Sequence, residues 1–191
     1  MGLKPPNTED RRVQRTRRSL HEALVELILE RGWDEVRVQD ICDRANVGRS
    51  TFYTHFADKE ELLIGGLDDL RQALRRLSPV EADARPLGFV RGVIEHADEQ
   101  RRLFRAVIGK RSGHVVRERF RQLLIALVHE DLAAIAATGP HLEATALYVA
   151  GALMEMLIWW LDTRNGLGAG EVEELFARLT APVLGVLRRI G

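Results

Sequence analysis

The chain is predicted to be all-α, and three observations lead there. Apolar residues recur at helical spacing along almost the whole length, as in Leu20, Leu24, Leu27 and Ile28. Strand-like alternation is confined to EVRVQ at 35–39, too short to make a strand. The interruptions are glycine and proline punctuation: Gly32, SPVEADARP at 78–86, ATGPH at 137–141 and NGLGAG at 165–170.

The first helix runs from about Glu9 to Arg31, and Gly32 ends it by supplying a left-handed residue. Trp33 then folds back as a core anchor. A second helix covers Val38–Ala45, with Ile41 and Ala45 inward at i, i+4. The turn NVG follows, where Asn46 and Gly48 tolerate tight backbone geometry. A third, short helix covers Arg49–Phe56. In ADKEELL, Asp58 as N-cap and Glu61 three residues on form a capping-box pattern, which opens a fourth helix reaching about Leu77. After the boundary at 78–86, apolar-periodic stretches fall near 87–99, 101–109, 113–137, 141–164 and 170–189. Pro182 is expected to kink or split the last of these.

Composition narrows the function classes. With 46% apolar and 29% charged residues over 191 positions, the chain has the make-up of a folded soluble protein rather than a disordered one. Net charge is zero, so an affinity for nucleic acid has to come from local placement of charge. The single cysteine, Cys42, cannot form an internal disulfide, which suits a reducing cytoplasm. The polar start MGLKPPNTEDRR is not a secretory signal. The apolar run from Ala144 to Leu161 nearly has spanning length, but Glu155 interrupts it, and a core or oligomer-interface helix is the expected reading; no membrane partner is expected. No Glu-x-x-His pair, His-Glu-x-x-His, phosphate-binding glycine loop or cysteine cluster is present. The expectation is therefore no enzyme, no cofactor and no metal site.

The segment NVGRSTFYTHFADKEELL, 46–63, carries the functional signal. On a helical wheel Phe52 and Phe56 lie on one side of the third helix, while Ser50 and Thr54 lie opposite. Thr51 and Tyr53 flank them and Arg49 sits at the exposed start. A short helix after a three-residue turn from another short helix, showing small hydroxyl side chains outward, has the form of a helix-turn-helix reader. Small side chains let its backbone approach DNA closely. Arg49 offers a bidentate donor pair to guanine, and Tyr53, His55 and Lys59 can reach phosphates, which set register. Residues 1–18 hold Lys4, Arg11, Arg12, Arg15, Arg17 and Arg18 against Glu9 and Asp10, a basic arm in a chain that is neutral overall.

The segment VQDICDRANVGRSTFYTHFADKEELL, 38–63, closely resembles the DNA-binding segment of tetracycline-repressor-like (TetR/AcrR) transcriptional regulators. The shared elements are Asp40-Ile41, Ala45, Val47, Thr51-Phe52-Tyr53, Phe56, Lys59-Glu60 and Leu62-Leu63, with Gly32-Trp33 after the first helix. The resemblance covers about residues 11–65. It implies base or backbone contacts for Arg49 and Tyr53, and phosphate contacts for Thr51, His55 and Lys59. Two positions depart from the family pattern. Arg37 stands where a capping threonine is usual, and could reach phosphate by charge instead. Cys42 stands where alanine is usual; a small buried thiol fits there, and a redox role lacks an activating neighbour.

The resemblance further implies an N-terminal three-helix helix-turn-helix domain with a basic arm, 1–57, followed by a helical ligand-binding and dimerisation domain, 58–191. It implies a homodimer formed by the last two helices, binding a palindromic double-stranded operator and released from it by a small-molecule effector. The apolar run 144–161, with Ala150, Gly151 and Ala152 permitting close approach, agrees, as does the stripe Leu175, Leu179, Val183, Val186 and Leu187. Trp159 and Trp160 are expected at that interface. Candidate effector contacts are Phe89, His96, Phe104, Phe120, Leu124, Met154 and Trp159, each of which also suits ordinary core packing. Glu155, a carboxylate in an apolar helix, needs a partner or a polar cavity and is a ligand or interface candidate. The alternative is a DNA-binding dimer with no effector, acting through protein partners.

Overall fold

A computed structural model of the protein describes residues 8–78, 86–108, 114–134, 139–163 and 165–190. Among them every regular element is a helix. In order they are α1 (Thr8–Arg31), α2 (Val38–Ala45), α3 (Arg49–His55), α4 (Lys59–Leu77), α5 (Phe89–Glu99), α6 (Arg101–Ile108), α7 (His114–Ala133), α8 (Pro140–Asp162) and α9 (Ala169–Ile190). Lys4 and the predicted breaks at 79–85 and 137–138 lie outside the described residues. By compactness the chain divides into two units, Met1–Gly66 and Leu67–Gly191, so the division falls inside α4. The sequence reading puts a domain boundary earlier, after residue 57.

In the first unit, Leu20, Leu24, Leu27 and Ile28 of α1 are buried with Trp33, Val36, Ile41, Phe52, Phe56 and Leu62. Gly32 closes α1 with φ +84°, its N–H donating to the Ile28 carbonyl at 2.9 Å. α2 is held to α1 by Arg44, whose guanidinium donates to both Glu26 and Glu30 at 2.8–3.0 Å. The α2–α3 turn depends on Asn46 at φ 52°, ψ 47°; the Val47 N–H donates to the Cys42 carbonyl at 2.9 Å. Gly48, by contrast, sits at φ −65° in extended backbone that any residue adopts. At the start of α4 the Asp58 carboxylate accepts the Glu61 N–H at 2.7 Å, while Glu61 reaches back to the N–H of Ala57.

The second unit packs α7 on α8, α8 on α9 and α5 on α9. Its interior holds Phe89, Ile94, Phe104, Phe120, Leu124, Leu127, Leu153, Leu157 and Trp160. The second half of α4 is tied to α7 by charge: Arg71 and Arg75 both pair with Glu130, and Arg75 also pairs with the buried Asp131. α8 is long and apolar enough to cross a membrane by length and composition alone, and half of that span is buried inside the protein.

Two expectations are corrected here. Pro182 does not split α9, which is assigned continuously from Ala169 to Ile190. The proline is exposed, and it lacks the N–H that would donate to the Arg178 carbonyl. Trp160 is core of its own chain: its Nε1 donates to the Leu167 carbonyl at 2.9 Å and the Arg101 guanidinium lies 4.6 Å from its ring centroid. Of the two tryptophans, only Trp159 is exposed.

Candidate nucleic-acid interface

α3 has a buried side and a solvent side. Phe52 is fully buried and meets Phe56 at 5.8 Å between ring centroids. The Arg17 guanidinium covers the Phe56 ring at 4.8 Å. Ser50, Thr51, Tyr53, Thr54 and Arg49 are all exposed, and His55 is half-buried. Tyr53 is 51% exposed. Its ring stands edge-on to Phe52 at 5.4 Å, and the Arg49 guanidinium lies 5.9 Å from its centroid. The core therefore fixes where Tyr53 and Arg49 start from, and leaves their polar ends in water. The Thr54 hydroxyl donates to the Ser50 carbonyl at 2.9 Å, which leaves its oxygen available as an acceptor.

Arg37 precedes α2 and is exposed. A guanidinium has no acceptor with which to cap a helix. The cap is supplied from the other direction, the Asp40 carboxylate accepting the Arg37 N–H at 3.0 Å. Among the described residues the guanidinium of Arg37 makes no ion pair, and the helix end is still satisfied.

Lys59 is placed differently from the expectation of a phosphate contact. Its ammonium turns inward and donates to the carbonyls of Trp33 and Val36, both at 2.8 Å, and lies 4.5 Å from the Trp33 ring centroid. Two of its three N–H groups are spent on the α1–α2 connection, so it acts as a strap from α4 to that loop. Lys59→Met keeps the stem and removes these charged hydrogen bonds. It is expected to cost about 1–3 kcal/mol of stability, measured as a lower thermal midpoint of the full chain; an unchanged midpoint would show the strap to be idle.

The basic segment is also placed differently. Arg11, Arg12, Arg15, Arg17 and Arg18 belong to α1 itself, because no breaker separates Thr8 from Arg31 and arginine is a good helix former. Arg18 pairs with Glu22 at 2.8 Å and Arg17 packs on Phe56, while Arg11, Arg12 and Arg15 are exposed. Cys42 is buried, and loss of solvent raises its thiol pKa more than the nearby Arg49 lowers it, which favours an inert thiol.

The candidate effector residues are distributed through the second unit. Phe89, Phe104, Phe120, Leu124 and Met154 are buried. Phe104 lies edge-on to Phe120 at 5.4 Å and to His96 at 5.7 Å. His96 is half-buried, and desolvation pulls its pKa below the usual histidine value. Glu155 does not point into a polar cavity: it is exposed and accepts a hydrogen bond from Arg117 at 2.8 Å. A cleft of about 280 Å³ lies elsewhere in this unit, between the start of α5 and one face of α9. Leu87, Val90, Phe176, Ala177, Thr180, Leu184 and Arg188 are among its walls. No candidate residue lines it. The small residues Ala177, Thr180, Ala181 and Gly185 at helical spacing were the sequence signal that could have shown it.

A buried aromatic side and an exposed Arg-hydroxyl-Tyr side on the second of two short helices define a helix-turn-helix DNA-binding unit. Residues 20–65 match the family described as bacterial regulatory proteins, tetR family. Among curated relatives, the HTH-type transcriptional regulator TcmR of Streptomyces glaucescens is 31% identical over 106 residues, which is 55% of this chain and 42% of that protein. The chain thus spans less than half the length of the curated relatives it matches. Among solved structures, a TetR transcriptional regulator from Streptococcus agalactiae 2603V superposes with a TM-score of 0.68 at 24% identity, covering 90% of this chain and 96% of that one. A TetR-family repressor of Thermus thermophilus, crystallised with lauroyl-CoA, gives 0.58 at 23% identity, covering 86% and 93%. These likenesses show the fold. The matched proteins named here are described as transcriptional regulators or repressors.

Proposed function

We propose that the protein is a cytoplasmic homodimeric transcriptional regulator that binds a palindromic operator and is released from it by a small-molecule effector. The observation that carries this reading is the solvent-facing side of α3. Arg49 and Tyr53 are the base-edge or backbone contacts. Ser50, Thr51 and Thr54 allow close approach, and Arg37 and His55 reach phosphates. The third N–H of Lys59 is all that it has left for DNA. Arg11, Arg12 and Arg15 on α1 add sequence-independent affinity.

Two copies are needed because one α3 reads only a half-site; helix-turn-helix dimers place their readers about 34–36 Å apart, one helical turn of DNA. The apolar faces of α8 and α9 support a dimer. Leu147, Tyr148 and Trp159 are exposed on α8, and Leu175, Leu179 and Val186 on α9. Soluble chains seldom leave such a stripe to water. An effector acts by preferring a dimer state whose reader spacing does not fit the operator, and its differential affinity sets the size of the effect. That the Thermus repressor holds lauroyl-CoA supports an effector in this fold.

Selection of bound DNA from a random pool by the purified chain tests the reading. A palindromic site is expected, and recovery of no preferred sequence would overturn it. On the selected site, Arg49→Ala is expected to weaken binding by about 1–3 kcal/mol and to relax preference at one position per half-site. A uniform loss across all sequences would place Arg49 on phosphate instead.

A further inference from the structure

We propose that the cleft between the start of α5 and α9 is a binding slot for an aliphatic anion such as a medium-chain carboxylate. This rests on the effector-responsive reading above and gives it a place and a ligand class. The cleft's α9 wall extends from Glu173 to Arg188, about 22 Å of helix at the standard rise. The cleft's volume of about 280 Å³ leaves room for a medium-length aliphatic chain. The flanks are Leu87, Val90, Phe176 and Leu184, which suit methylene groups.

The two ends differ in charge. Glu173 lies near Arg91, which offsets its carboxylate. Arg188, four turns away, makes no ion pair among the described residues. A guanidinium left free at the mouth of an apolar slot is a seat for a carboxylate head group.

The slot is also wired to α4. Leu87, in its wall, holds φ 64°, a left-handed backbone that a leucine adopts only under constraint. The Asp131 carboxylate lies close enough to the Leu87 backbone to feel it, and the same group accepts from Arg75 of α4. Arg75 also donates to Glu130 and to the Leu127 carbonyl, and stacks over Phe89 at 5.6 Å. An occupant that displaces Leu87 therefore acts on the anchor of α4, the helix that continues into the DNA-binding unit.

Isothermal titration of the full chain with octanoate, and with 1-octanol as its neutral counterpart, tests the slot. Octanoate is expected to bind saturably. Arg188→Gln is expected to weaken octanoate at least tenfold while leaving octanol unchanged, and Ala177→Trp to abolish both, with thermal midpoints near the parent's. Absence of saturable octanoate binding, or variants that bind it like the parent, overturns the assignment. The relay is read on the selected operator: octanoate should release the parent, whereas Asp131→Asn should bind octanoate and stay on DNA. An Asp131→Asn protein released as readily as the parent removes the relay. Failure to select any operator would sink the regulator reading, while the titration would still decide the slot.

Discussion

Replacing Phe52 by alanine is expected to cost the DNA-binding unit about 3–5 kcal/mol. Phe52 has no exposed surface, and it is the residue against which both Tyr53 and Phe56 pack. Whole domains are stable by only about 5–15 kcal/mol, so a unit of this size would lose most of its margin. The measurement is thermal unfolding of the full chain followed by circular dichroism, with loss or a large downward shift of one transition. The neighbouring residue supplies the contrast. Tyr53→Ala removes a half-exposed ring whose edge contact is worth about 0.5–1.5 kcal/mol, so the fold should survive. Binding to any operator should nevertheless weaken, and the dimer should remain intact. If Phe52→Ala melts like the parent, α3 is not anchored as described. If Tyr53→Ala unfolds or dissociates the protein, Tyr53 has been misread as a surface reader.

Leu179→Arg is the second large effect. Leu179 is 61% exposed in the middle of α9, in line with Leu175 and Val186; Tyr148 and Trp159 of α8 are exposed too. In a two-fold interface a substitution appears twice and often close to itself, so one arginine introduces two like charges into an apolar seam. The variant is expected to sediment as a monomer with its helical content unchanged. Operator affinity should fall by about 10²-fold or more, since linking two half-site contacts is what raises it. A variant that remains dimeric would move the interface away from this face. The same face explains why α8 reads as a membrane candidate in composition: its own chain covers only half of it.

Much of the first unit was legible because its signals are local. Gly32 ends α1, Asn46 turns the chain, Asp58 starts α4, and the i, i+4 pair Phe52–Phe56 states which side of α3 is buried. Each depends on residues within a turn of one another. Lys59 was not legible in that way. Its side chain carries three donors on a flexible stem, and only the fold shows that the Trp33 and Val36 carbonyls lie within reach. Glu155 likewise seemed to need a polar cavity because α8 is apolar on nearly every side; the fold leaves its face in water, beside Arg117. Pro182, which is exposed, does not split α9.

The sequence by itself determined the all-helical class, the order of the helices and the side of α3 that faces solvent, since periodicity, caps and turns are properties of neighbouring residues. Tertiary structure alone decided the strap of Lys59, the tie of α4 to Asp131 and the slot along α9. Those are meetings of groups 26, 56 and roughly a hundred residues apart, and no local pattern encodes which distant carbonyl or carboxylate a long cationic side chain will find.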